Sequence, residues 1–208
     1  MPDRSRLRIV IKWFGINGSF FLGAFFVVGI LCLVFPNSML SLFGKWANLL
    51  SAFGARPAGD FTSALDMFLH IVQRNAVAII VYIVIGFLLQ APLAMIFGGA
   101  FYAFVSFLAP LTLGSPFELF DWLLIVIESS SLIIASSISS GVAGDLYHVR
   151  PSVGEWWSYS KKSWRSLTIK PAIPWRDVLP GWHSFIWPSL VLLGSLTLFV
   201  AWFEVYGY

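Results

Sequence analysis

Charge is what this chain has least of. Only 11% of its 208 residues are Asp, Glu, Lys or Arg, against roughly a quarter in ordinary soluble domains. That is too little to solvate the surface of a globular domain this size. There is one cysteine, Cys32, so an internal disulfide is excluded. Set inside an apolar run, it reads as a small hydrophobe rather than a reactive thiol. The three histidines, His70, His148 and His183, are scattered and lack the spacing of metal ligands. The chain has no glycine-rich phosphate loop, no HExxH, no GxSxG and no CxxC. These absences give no support to soluble-type enzymology, and the expectation is a protein that is not an enzyme and has no metal site. The net charge of +3 is no nucleic-acid signal, because the basic residues cluster beside apolar runs, where they set membrane topology.

What is abundant is hydrocarbon. The chain is 58% hydrophobic, with ten Trp and twenty Phe. A mean hydropathy of +0.83 leaves no room for a separate soluble domain. The expected fold is all-α, a single polytopic helical membrane domain over residues 1–208. Five spans are expected, near 13–35, 67–90, 92–113, 118–143 and 183–206, each long enough to cross a core about 30 Å thick. The first run is too long for a signal-peptide core. Residues 38–54 place Met39, Leu42, Phe43, Trp46, Leu49, Leu50 and Phe53 on one helical face, which predicts a helix lying along the outer surface. Gln90-Ala91-Pro92 predicts a tight turn.

Between the fourth and fifth spans lies a hydrophilic stretch near 145–181. Ser152-Val-Gly-Glu155 is a capping-box pattern and predicts a helix over 153–168 with Trp157 and Trp164 facing the same way. Trp157, Lys161, Lys162, Trp164 and Arg165 suit an amphipathic helix anchored on the inner leaflet. Pro171, Pro174 and Pro180 predict an extended path onward to the last span. With the N-terminus inside, ten Lys and Arg fall on the inner side and three on the outer. The positive-inside rule then puts the chain in a cell membrane with its N-terminus cytoplasmic and its C-terminus outside.

One carboxylate stands out. Glu128 falls about ten residues into the fourth span, roughly 15 Å deep, where an ionised side chain costs on the order of 3 kcal/mol. It must face protein or water, be paired, or be protonated. Ser131 and Ser139 lie near its face of the helix. Ser136, Ser140 and Gly144 recur every four residues, as do Ser137 and Gly141. Such rows of small residues permit close helix contact, so this helix is expected to be surrounded by protein. Gly98 and Gly99 serve the same purpose in the third span. Polar residues within other spans, Asn17, Tyr82, Tyr102 and Ser106, are the candidate partners of Glu128. Asp66, His70 and Arg74 recur at intervals of four and read as an interface-facing stripe. Glu204 is expected near the outer interface. A lone deep Glu is a weak case for intramembrane hydrolysis, which needs paired groups.

Arg74-Asn75-Ala76-Val77, Gly98-Gly99, Glu128 through Gly141-Val142-Ala143-Gly144, and Phe199 to Gly207 around Glu204 occur in an order that resembles the stage II sporulation protein M-like (SpoIIM-like) family of integral membrane proteins. The resemblance covers most of residues 66–208. This chain has Arg74-Asn75 where the family usually has two adjacent Asn, and Gly98-Gly99 where it usually has Asn-Gly. The resemblance implies family-matched positions at Asn75 and Glu204 and a role as a membrane partner or scaffold. Three functions are therefore open. The first is a non-enzymatic scaffold or complex subunit, with the bilayer and other membrane proteins or further copies of itself as partners. The second is a small transporter or channel component with Glu128 as its polar station. The third is an accessory subunit of a bioenergetic or pigment complex that binds lipid, quinone or pigment.

Overall fold

The computed structural model describes residues 4–52, 61–113, 118–165 and 171–206. They form seven helices in chain order: α1 Arg4–Val34, α2 Pro36–Ala52, α3 Ala64–Phe87, α4 Ala91–Leu113, α5 Leu119–Tyr147, α6 Val153–Arg165 and α7 Trp175–Tyr206. The fold is all-α. Five of the helices, α1, α3, α4, α5 and α7, are long and apolar enough to cross a membrane. This fits a multi-pass membrane protein.

Helix α5 is the most enclosed of the five and packs against α1, α3, α4 and α7. Its small side chains are the reason: they leave a slim cylinder that neighbours approach closely. Ser140 Oγ reaches the Gly86 carbonyl of α3 at 3.4 Å. A Cβ on Gly86 would overlap Ser139 Oγ and lie 2.7 Å from the Ser136 carbonyl, so only glycine fits there. Helices α1 and α4 run parallel: Gly99 abuts the Phe21 backbone, Gly29 abuts Phe107, and Cys32 is buried with Phe104 and Leu108. Of the buried α1 residues, Phe21, Gly29 and Cys32 make this contact, whereas Asn17 turns to α5.

The turn between α3 and α4 is tight, as its sequence predicts. Leu89 adopts a positive φ of 54° and is fully buried. Its carbonyl accepts a 2.7 Å hydrogen bond from Trp156 Nε1 of α6, which fastens α6 under the turn. Ser63 caps α3 by accepting from the Asp66 N–H.

Several boundaries differ from expectation. The segment expected at 38–54 is helical from Pro36, because proline suits a first helical turn, and it ends at Ala52. Residues 53–60 lie outside the described residues. The fourth span continues past Gly144 to Tyr147, where His148 closes it in the left-handed conformation. The last span starts at Trp175 rather than at 183, with Pro180 and Pro188 inside the helix. The expected extended path through Pro180 is thus replaced by helix. A proline forfeits one bond and sterically loads one turn, while packing of Val178 and Trp182 against Val142 and Leu146 holds the segment helical. In α6 the Ser152 hydroxyl accepts from the Glu155 N–H, but Glu155 accepts from the Arg150 N–H rather than from Ser152, so the capping box is half made. Trp156 is buried and Trp157 exposed. Lys161 sits 5.2 Å over the Trp157 ring, and Lys162 is exposed. The Trp164 and Arg165 side chains, and residues 166–170, fall outside what is described.

A polar cluster where four helices meet

Glu128 is part of a five-residue cluster drawn from four helices. Asn75 Nδ2 of α3 donates to Glu128 Oε1 at 3.1 Å. The Tyr102 hydroxyl of α4 donates to Oε2 at 3.1 Å. Arg74 Nη2 lies 3.8 Å from Glu128 Oε1 and 3.7 Å from Glu204 Oε1 of α7. Arg74 thereby links Glu128 to Glu204. Asn75 and Tyr102 each lie eleven residues into their helices, and Glu128 nine. At about 1.5 Å per residue the cluster is roughly 15 Å from three helix ends.

Burial orders the cluster. The side chains of Glu128 and Glu204 are 17% and 23% exposed, whereas that of Arg74 is 53% exposed. The two acids are inside, and the guanidinium covers them from the side of the bundle. Beside them is a cleft of about 40 Å³ lined by Asn75, Tyr102, Glu128, Ser131, Thr197 and Val200 among others. That exceeds the roughly 10–15 Å³ needed for one water.

Of the four candidate partners, Tyr102 alone reaches Glu128. Asn17 instead donates to Ser137 at 3.1 Å and Ser136 at 3.3 Å. Tyr82 donates to the Ala94 carbonyl, and Ser106 to the Tyr102 carbonyl. The reason is level: each meets the polar group at its own height in the bundle. Ser131 lines the cleft, but its hydroxyl donates to Ile127 O. Ser139 shares a helical face with Glu128 yet sits eleven residues away, about 16 Å along the axis, against Gly86. It belongs to the packing seam rather than to the cluster. Ser136, Ser137, Ser140, Gly141 and Gly144 are buried in that seam. Gly141 faces the Trp182 ring, Gly144 the Val149 carbonyl, and Gly98 the Tyr82 hydroxyl and Phe21.

Three assignments change. Arg74 is no member of a surface stripe with Asp66 and His70. It bridges two carboxylates across helices, while Asp66 closes its own helix start by accepting from Thr62. Glu204, expected at an interface, joins the cluster through Arg74. And Glu128 does have a carboxylate mate. The mate is bridged by a guanidinium, which makes an ion cluster rather than two acids flanking a substrate. Arg74 was the residue that sequence reasoning missed. Its signal was a cation at the threshold of the wholly apolar run Ala76 to Leu89, where a buried partner of opposite sign is expected. Among the described residues no three His, Cys, Asp or Glu side chains form a metal-binding group.

Comparison with protein-family models, with curated proteins and with solved structures finds no match.

Proposed function

We propose that this chain is a non-enzymatic membrane scaffold or complex subunit in which the Glu128 cluster ties four helices together and presents Arg74 sideways to a partner. The observation that carries this reading is the filling of both Glu128 oxygens by donors from α3 and α4. A carboxylate so engaged serves as a tie. Arg74, the half-exposed member, lies on a face whose other exposed residues include Val77, Val81 and Val84. A guanidinium on an apolar flank is stabilised when a polar group of a neighbouring helix covers it. The ten-to-three charge split supports a cell membrane location with α6 on the cytoplasmic side and the C-terminus outside.

A photo-crosslinker at Val77, one turn from Arg74, tests this. A defined membrane partner or second copy should be trapped in native membranes. Arg74→Gln should abolish trapping without lowering the unfolding temperature in detergent by more than a few degrees. Trapping of lipid alone, unchanged by Arg74→Gln, refutes the docking role.

The cleft beside Glu128 favours a second reading, a small transporter component. It requires that Glu128→Gln abolish ion or proton flux in proteoliposomes while leaving crosslinking intact.

A further inference from the structure

A second, wider crevice lies at the opposite end of α5 from the Glu128 cluster. It encloses about 540 Å³, within the range of small-molecule sites. Its charged lining comes from four segments: Arg6 of α1, Asp145 of α5, Arg150 of the α5–α6 connection and Asp177 of α7, with His148 beside them. Two bases face two acids, so with His148 neutral the crevice has no formal net charge. Such a lining does not select a simple anion or cation. It suits a ligand bearing both charges a short distance apart.

Position narrows the ligand. Trp157 and Trp175 are exposed at this end, and Gly141, part of the lining, backs onto the buried Trp182 ring. Indoles gather at the lipid–water boundary, which puts the crevice at headgroup depth. The lining also includes apolar side chains, among them Ile9, Ile173 and Val178.

The walls are braced. Arg6 donates to the Gly181 carbonyl and stacks 5.9 Å over Trp182. Trp182 Nε1 donates to Asp145 Oδ2 at 2.9 Å. The segment after α6 is pinned by Ala172 and Ile173 N–H groups on the Leu146 carbonyl, at 2.8 and 3.3 Å. Asp145 stands in the last turn of α5, where the helix carbonyl end adds negative potential and favours a cation.

We infer that this crevice binds the headgroup of a zwitterionic phospholipid with a primary ammonium, an ethanolamine phospholipid. The ammonium faces Asp145 and Asp177, and the phosphate faces Arg150 and Arg6. A choline headgroup offers the same charges but no N–H to donate. A glycerol headgroup offers no cation. The inference does not depend on the Glu128 cluster.

The purified protein in mild detergent is offered equimolar ethanolamine, choline and glycerol phospholipids with matched acyl chains, and retained lipid is read by native mass spectrometry. Ethanolamine lipid should be retained above the other two. Arg150→Gln and Asp177→Asn change exposed side chains and spare the Trp182 anchor on Asp145. Each should lower ethanolamine-lipid retention about tenfold, the scale of one charge-assisted hydrogen bond, with the unfolding temperature unchanged. Equal retention of glycerol and ethanolamine lipids overturns the inference. So does retention indifferent to both substitutions, or full displacement of the lipid by millimolar free phosphoethanolamine.

Discussion

The two halves of α5 are polar in different ways. Toward its N-terminus a single charge, Glu128, is met by long side chains reaching from α3 and α4, and Arg74 ties it on to Glu204 of α7. Toward its C-terminus, Ser136, Ser137, Ser139 and Ser140 hold no charge: Asn17 of α1 reaches the first two, and the other two meet α3 as backbone, at Gly86. Most of these hydroxyls donate to carbonyls of their own helix one turn back. In the first half polarity reaches across a gap and leaves a cleft. In the second it makes the gap vanish. An intramembrane helix can thus be held by charge at a distance or by smallness at contact, and the two should fail differently.

The seam should break hardest. Gly86→Val places atoms where the Ser136 carbonyl and Ser139 hydroxyl already stand, and the backbone carbonyl has no rotamer to retreat to. A loss of about 3 kcal/mol or more is expected, read as a large fall in unfolding temperature in detergent. A fall no larger than that of a surface substitution would mean that α3 and α5 are not in contact at this height.

Next is the charge cluster. Glu128→Leu strands Arg74, Asn75 and the Tyr102 hydroxyl together. The cost should be about 2–3 kcal/mol, below the 3–5 of a fully buried pair because Arg74 is half exposed and partly screened. Glu128→Gln keeps an acceptor for Asn75 or Tyr102 and should cost about 1 kcal/mol. If Leu is more stabilising than Gln, Glu128 faces hydrocarbon and the cluster does not form.

Ser140→Ala sharpens the contrast from the weak side. It removes one 3.4 Å bond to Gly86 O and leaves the close approach intact, so about 0.6 kcal/mol is expected. A much larger loss would make hydrogen bonding, rather than small size, the reason for serine in the seam.

The smallest effect is a pH dependence outside the spans. Burial, and secondarily the nearby Tyr147 phenol, push Tyr159 of α6 up to about 12. The folded state therefore holds this proton after the unfolded chain, with a phenol near 10, has released it. Stability from this group is complete below pH 10 and declines as pH rises from about 10 to 12. Tyr159→Phe should remove that part of the alkaline slope, as measured by unfolding temperature against pH.

Much of the fold was legible because its signals are local. An apolar run of about twenty residues, a Pro-bearing turn, and serine and glycine every fourth position each state a local preference that the bilayer enforces. The same holds for Glu128, since a charge deep in hydrocarbon has to be satisfied by something. Its partners were less legible. Asn17 and Tyr102 are both polar residues inside spans, and nothing in either local sequence says which stands level with Glu128. That depends on the axial offsets of helices joined by turns of different lengths, and on which face of α3 turns inward. The helical start of α7 through Pro180 escaped local reasoning for a similar cause. The proline argues against helix, and packing of Val178 and Trp182 on α5 outweighs it.

By itself, then, the sequence determined that five apolar helices are long enough to cross a membrane and that one carries an acid needing a partner, because hydrophobicity and small-residue spacing act over a few turns. Only the tertiary structure decided that Arg74 and Glu204, 130 residues apart in the chain, are the groups that share it with Asn75 and Tyr102. A charge in a low-dielectric interior is satisfied by whatever lies within about 4 Å, and which residues come that close is set by helix packing.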